Sequence, residues 1–280
     1  MQSTCSDTLF GRSVGCSIAD TGTVPIPARI GVSWASSEAE VRDAQRLRHQ
    51  VFVQEMGATP SDYNNVDGSD LEADRFDPFC DHLLIKIHDP WEQYRTQIIG
   101  TCRVLRPAQA VLAGGFYSDT EFELSAIESL RPKALELGRT CVHPDWRRGY
   151  VIMTMWRALS QYMLRHQLDT LIGSASISLT DGGYAAAAIW ERLRFTHLVD
   201  QSWQVAPLDP LPLDLLLAVR TRSMTARPIQ TPPLIDGYLR CGAQLLGPPS
   251  RDVLFNTADL PIMLQFDALT PRYRKHFLGG

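Results

Sequence analysis

The stretch that decides the fold is Leu-Glu-Leu-Gly-Arg-Thr-Cys-Val-His-Pro-Asp-Trp-Arg-Arg-Gly-Tyr, residues 135–150. Its first half alternates apolar and polar residues, which predicts a β-strand over 134–142. Strict alternation would place Glu136 and Arg139 on opposite faces of a sheet. Gly138 lies between them, and a glycine inside a strand often marks a bulge. One extra residue there would bring Glu136 and Arg139 to the same face; a surface ion pair on an edge strand is the alternative.

The second half of the stretch turns through proline into a basic segment that precedes a helical pattern. Arg147, Arg148 and Gly149 come directly before apolar residues that recur at helical spacing. Backbone N–H groups at a helix start, aided by the helix dipole, bind anions such as phosphate. We therefore predict that these three residues bind a phosphate-bearing ligand. The alternative is that the arginines are merely solvated.

Composition excludes several classes of protein. The chain has 280 residues, of which 44% are hydrophobic and 21% charged, as expected for a globular protein with a sizeable core. Its net charge of -4 argues against nucleic acid as a partner. The six cysteines show neither a Cys-x-x-Cys pair nor other metal-ligand spacing, so we predict no metal site and a reducing, cytoplasmic location.

The pattern along the chain predicts three regions. Residues 1–29 are rich in Ser, Thr and Gly and predict a flexible tail, whereas residues 30–205 contain alternating strand and helix patterns. Residues 206–280 form a C-terminal extension that we expect to complete the sheet and the acceptor site. Its proline-rich start, around 207–212, predicts a connecting segment, and 262–266 predicts a last strand. The predicted architecture is a mixed α/β sheet.

An arginine occupies the apolar face of the first predicted helix. Ser37 and Glu40 form a Ser-x-x-Glu capping box, and the helix is expected to run to about Met56. Arg48 lies in the middle of its apolar face. A buried guanidinium costs several kcal/mol unless it is paired. We therefore expect it to bind Asp74, Asp77 or Glu136.

The order of these elements resembles the GCN5-related N-acyltransferase (GNAT) superfamily. That resemblance implies a mixed, mostly antiparallel sheet that is flanked by helices and has a splayed central strand. More narrowly, several segments resemble the ornithine lipid synthesis N-acyltransferases, and together they extend over nearly all of 30–277. The segments are 47–57, 74–77, 80–84, 99–106, 136–139, 232–240 and 255–257.

The first five of these segments, from 47–57 to 136–139, are also similar, in order and spacing, to the acyl-homoserine lactone synthases. This similarity implies that Glu136 and Arg139 act in catalysis beside a charged network at the acceptor site. Within that network, the alternative is that the charges only attach the loop 62–81 to the sheet. The residues implied for network and acceptor site are Arg48, Phe52, Asp74, Asp77 and Arg103.

The resemblance implies transfer of a 3-hydroxy fatty acyl group from acyl carrier protein to the α-amine of L-ornithine. The loop lacks the second small residue of a full Arg-x-x-Gly-x-Gly/Ala signature, which favours the acyl-phosphopantetheine of a carrier protein over coenzyme A. No other cofactor is expected. Glu136 is the expected base, and the N–H groups of residues 140–142 the expected oxyanion donors. The lipid product implies peripheral contact with the inner face of the membrane.

Two rival functions stay open at this point. A lactone or other N-acyl amino acid synthase would share the donor and the charged network, but the lactone family lacks the ending 255–257. A haemolysin-like membrane-active protein is the rival that is not an enzyme. It is disfavoured because the chain shows neither a spanning segment nor a long basic amphipathic helix.

Overall fold

The computed structural model describes residues 29–59, 70–88, 96–222 and 229–275. The predicted flexible tail therefore lies outside the described residues, apart from Arg29. The strands are β1 (Arg29–Trp34), β2 (Asp81–His88), β3 (Thr96–Leu105), β4 (Phe122–Glu123), β5 (Ala134–Val142), β6 (Thr170–Ser178), β7 (Ala206–Pro207), β8 (Gln244–Leu245), β9 (Ser250–Asp252) and β10 (Thr257–Gln265). The helices are α1 (Glu38–Arg48), α2 (Pro107–Ala113), α3 (Gly149–Arg165), α4 (Tyr184–His197), α5 (Leu213–Arg222), α6 (Pro233–Cys241) and α7 (Pro271–Arg274).

The main sheet has the strand order β1-β2-β3-β5-β6-β10-β8, and β9 also pairs with β10. All of its neighbouring strands are antiparallel except β5 and β6. The predicted mixed, mostly antiparallel sheet is therefore confirmed. The strands between 244 and 265 extend the sheet beyond β6, while the boundary at residue 206 stays a prediction.

Helices cover both faces of this sheet because successive residues of its strands direct buried apolar side chains to opposite faces. Leu135 and Leu137 of β5 point into a large apolar core that α3, α4 and α6 cover. The other face carries a smaller core under α2 and the 3-10 segments of 117–133, and it also carries most of the buried charges. Within the described part of the chain, no helix has both the length and the apolar character needed to cross a bilayer.

Two local predictions differ from the structure. The first helix is α-helical only to Arg48 and continues as a π-helix over His49–Glu55. Ser37 caps the N-terminus as predicted, by accepting a hydrogen bond from the Glu40 N–H at 3.3 Å, but the Glu40 carboxylate accepts from Ser36 instead of Ser37. The proline-rich segment was expected only to connect. It contains β7 and leads directly into α5, which packs on α4.

Candidate active site

The bulge in β5 lies at the position that the sequence indicated. Gly138 is opposite Arg103 of β3 and Cys141 is opposite Thr101, so two residues of β5 face the single residue Cys102. Arg139 rather than Gly138 takes the left-handed conformation, with φ of 52°. The extra residue reverses the alternation. Strict alternation would place Leu137 and Val142 on opposite faces of the sheet, because five positions separate them, yet both side chains lie in the same core. Glu136 and Arg139 therefore lie on the same face, as predicted.

Six charged side chains form a buried network on that face, between α1 and the sheet. Three of them are arginines and three are carboxylates, so their formal charges sum to zero. Their residues come from α1, from the segment 70–79, from β3 and from β5, which the network ties together. The members are Arg48, Glu72, Asp74, Asp77, Arg103 and Arg139.

Arg48 is fully buried, and each nitrogen of its guanidinium donates at least one hydrogen bond. It donates to the Glu72 carboxylate at 2.5 Å, to the Glu72 carbonyl at 2.6 Å and to both Asp77 oxygens at 2.8 Å. Of the three partners expected for Arg48, only Asp77 is confirmed. The described contacts pair Asp74 with other arginines and bind Glu136 elsewhere, so those two expectations were wrong. Glu72 was missed.

The other two arginines share the remaining carboxylate oxygens. Arg103 binds both oxygens of Asp74 at 2.6 and 2.7 Å and one oxygen of Asp77 at 2.8 Å. Arg139 binds Glu72 at 3.1 Å and Asp74 at 2.9 Å. Burial alone would raise the pKa of each carboxyl, but the arginines outweigh it, so the pKa values of all three end below their usual range.

Aromatic rings clamp the guanidinium of Arg139. Its central carbon lies 4.7 Å from the centre of the Tyr117 ring and 4.4 Å from the centre of the Phe255 ring. Such contacts between a cation and a ring face are attractive. Phe52 meets Phe255 edge to face, with 5.7 Å between ring centres, so this predicted acceptor-site residue contacts the clamp. Tyr117 and Phe255 were not singled out, although Phe255 lies in one of the quoted motifs.

Glu136 forms no ion pair with the arginines in the described ranges, although the charge of Arg103 acts on it. Its carboxylate accepts hydrogen bonds from the Tyr117 N–H at 2.6 Å, the Ser118 N–H at 2.7 Å and the Ser118 hydroxyl at 2.6 Å. It therefore holds the start of the 3-10 turn Tyr117–Thr120 against β5. Burial raises its pKa, and the three donors and the charge of Arg103 oppose that rise without cancelling it.

The central strands β5 and β6 diverge beside Glu136. Their parallel pairing ends at the pair Leu137 and Gly173. The backbones touch there, because a Cβ atom on Gly173 would lie 2.4 Å from the Leu137 carbonyl oxygen. Beyond this point β5 pairs only with β3, and β6 only with β10. On the apolar face the divergence opens a cleft lined by Leu137, Gly173, Trp156 and Tyr238.

The structure separates the two arginines of the basic loop. Arg147 makes a two-pronged ion pair with Glu55, at 2.6 and 2.5 Å, so its guanidinium is occupied. Arg148 is the exposed residue that precedes α3, and no other described residue forms an ion pair with it. Gly149 begins the helix with open space around it. Arg148 and Gly149 thus present the helix N-terminus.

One further group of acids, two buried and one half-buried, was not anticipated. Glu121, Asp252 and Asp259 approach one another on the same face of the sheet as Glu136. A signal existed, because Asp259 interrupts the apolar pattern of β10 between the buried residues Ala258 and Leu260. Burial raises the pKa of the Cys141 thiol to about 12, which makes Cys141 a poor nucleophile.

The sequence of this chain is similar to those of known acyltransferases. The family model "Acetyltransferase (GNAT) domain" matches residues 47–157. The chain is 35% identical over 269 residues to an L-ornithine N(alpha)-acyltransferase of Brucella abortus, which covers 92% of this chain and 93% of the relative. It is 32% identical over 261 residues to one of Rhodobacter capsulatus, which covers 90% and 95%.

Solved structures resemble the chain in fold. FeeM, an N-acyl amino acid synthase from uncultured soil microbes, superposes with a TM-score of 0.50 at 11% identity, over 88% of this chain and 97% of that one. The acyl-homoserine lactone synthase LasI superposes with a TM-score of 0.47 at 14% identity, over 90% and 96%.

Proposed function

This chain belongs to the family of L-ornithine N(alpha)-acyltransferases, and we propose that it transfers a fatty acyl group to the α-amine of L-ornithine. The product is N-acyl-ornithine, the lyso form of ornithine lipid. The observation that carries the proposal is the identity of 32 to 35% with four such enzymes over about nine-tenths of this chain.

The chemistry is a direct aminolysis of a thioester. The amine nitrogen attacks the carbonyl carbon, the new C–N bond forms, the C–S bond breaks, and the thiol leaves with a proton. The α-ammonium must first lose a proton, for which Glu136 is the proposed base, directly or through a water molecule. Its raised pKa and its place beside the strand divergence support this role.

The divergence of β5 and β6 is the proposed place for the thioester. A peptide edge that is not paired with a neighbouring strand can present N–H groups to a developing oxyanion, and we propose those of residues 140–142. The apolar cleft beside it, lined by Trp156 and Tyr238, would receive the first carbons of the acyl chain. Burial of each methylene contributes about 0.8 kcal/mol.

The proposed donor is a 3-hydroxyacyl group on the phosphopantetheine of acyl carrier protein. The guanidinium of Arg148, with which no described residue forms an ion pair, and the helix start at Gly149 would bind its single phosphate. Arg157 and Arg165 are exposed further along α3 and would attract the acidic carrier. Arg147 is paired with Glu55, so we assign it the role of positioning this loop and not of binding the phosphate. We place the reaction in the cytoplasm, with contact to the inner membrane face through the lipid product.

The test is incubation of the purified full chain with acyl carrier thioesters and a panel of amino acids, with products identified by mass spectrometry. We expect N-acyl-ornithine from ornithine and long-chain 3-hydroxyacyl carrier protein. Coenzyme A thioesters of the same chain length serve as the donor control. Equal or better turnover with S-adenosylmethionine as acceptor, or with acetyl-CoA as donor, would refute the proposal.

A further inference from the structure

Three acidic side chains from different elements meet on the network face of the sheet. Glu121 follows the 3-10 turn that Glu136 holds, Asp252 ends β9, and Asp259 lies in β10. One carboxylate oxygen from each lies within 4.8 Å of the others. Glu121 and Asp259 are buried and Asp252 is half-buried. Like charges this close are costly when buried, so the group must hold a proton or take up a cation.

The side chains that donate hydrogen bonds to the acids from outside the group are neutral in the described ranges. Ser174 donates to Glu121 at 2.6 Å, Thr257 donates to Asp259 at 2.9 Å, and the Tyr117 hydroxyl donates to Asp252 at 3.3 Å. No lysine or arginine in the described ranges forms an ion pair with any of the three acids. Arg251, adjacent in sequence to Asp252, pairs with the exposed Asp209 instead.

Glu121 has a buried carboxylate oxygen that the described side-chain and backbone donors leave without a hydrogen bond. It is only 8% exposed, and apart from the proton that it can share with Asp259, its Oε1 atom has no hydrogen-bond donor among the described residues. Burial, with the charge of Asp259 added, raises the pKa of Glu121 to about 9. Burial also raises the pKa of Asp259. A cation that entered the group would stabilise the ionised carboxylates.

The acids lie beside the place where β5 and β6 diverge. Ser174 and Ser176 belong to the part of β6 that has left β5, and Ser176, which hydrogen-bonds Asp259, is exposed. The group therefore adjoins the stretch of β6 that borders the divergence. Tyr117 connects it to the proposed base, because its N–H binds Glu136 while its hydroxyl binds Asp252.

We propose that Glu121, Asp252 and Asp259 bind the side-chain ammonium of the acceptor amino acid and so select a basic side chain such as that of ornithine. An alkylammonium has three N–H donors, and the group offers one carboxylate oxygen from each of three residues. The α-amine, at the other end of a three-methylene chain, then faces the thioester. This inference rests on the proposed function and adds the residues that determine acceptor specificity.

The experiment compares ornithine with norvaline, which has the same carbon chain and α-amine but no side-chain amine. In wild type we expect kcat/KM for ornithine to exceed that for norvaline by at least about tenfold, the range of a charge-assisted hydrogen bond. Glu121→Gln and Asp259→Asn should lower kcat/KM for ornithine by at least about tenfold and change that for norvaline by less than about twofold. Glu123→Gln, an exposed residue two positions from Glu121, is the matched control and should change neither.

Several results would overturn the inference. Equal use of the two amino acids by wild type would do so without any variant, as would an unchanged ornithine-to-norvaline ratio in the folded variants. If the variants at the buried Glu121 and Asp259 do not fold, Asp252→Asn, at the half-buried position, provides the test through the same ornithine-to-norvaline ratio of kcat/KM. Loss of ornithine turnover with EDTA and recovery with Mg²⁺ or Ca²⁺ would show a metal site instead. If wild type does not acylate ornithine at all, the proposed function itself fails.

Discussion

Replacing Arg48 by methionine tests whether the charged network holds the fold together. The change removes four hydrogen bonds to Glu72 and Asp77 and turns a neutral group of three arginines and three carboxylates into one with a net charge of -1. Asp77 keeps Arg103 and Glu72 keeps Arg139. Removal of one partner of a buried ion pair costs about 3 to 5 kcal/mol. That is a large part of the 5 to 15 kcal/mol typical of a folded domain.

The assay is urea unfolding of the Arg48→Met variant at neutral pH, with the midpoint and slope compared with wild type. Arg46→Met is the matched control: Arg46 lies on the same helix and pairs at the surface with Asp43, so its loss should cost under about 0.5 kcal/mol. Arg48→Met combined with Glu72→Gln restores neutrality and should recover part of the stability. A loss below about 1 kcal/mol in the single variant would refute the reasoning.

The pH dependence of the Arg48→Met effect provides a second check. The folded pKa values of Glu72 and Asp77 lie below their unfolded values, so their stabilisation is present above the unfolded pKa and is lost as pH falls through the folded pKa. The free-energy difference between wild type and Arg48→Met should therefore be largest above about pH 5 and shrink in acid. A difference that does not change with pH would show that packing, not charge, explains the loss.

Three further predictions concern the site. Glu136→Gln should lower turnover by about 100-fold or more, measured as kcat across pH; near-normal turnover in a folded variant would make Glu136 purely structural. Arg148→Glu should raise KM for the acyl carrier protein most at low salt, since screening shortens the repulsion, while Arg194→Glu, on α4 and already paired with Glu191, serves as control. In the absence of amino acid, the raised pKa of Glu121 means that this group stabilises wild type fully below its unfolded pKa, and that the stabilisation is lost as pH approaches about 9. Glu121→Gln lacks this dependence, so its stability relative to wild type should increase as pH rises from about 5 to 9. Parallel wild-type and variant stability curves would contradict that.

Local patterns along the chain were sufficient for the elements that carry the site. Alternation predicted β5, and glycine at 138 predicted the bulge that brings Glu136 and Arg139 to one face. The position of Arg48 on an apolar helix face predicted a buried arginine that must be paired. These features depend on backbone hydrogen bonding and side-chain period over a few residues, which is information that the sequence contains directly.

The choice of partners was decided only by tertiary structure. Arg48 binds Glu72 instead of Asp74, and Arg147 binds Glu55, which is 92 residues away. Acids in irregular segments have no periodicity that would indicate which of them reaches a given arginine. The meeting of Glu121 with acids of β9 and β10 likewise depends on the register of β10 against β6. Such contacts depend on how distant elements pack and on strand register, where one residue of shift turns a side chain to the other face.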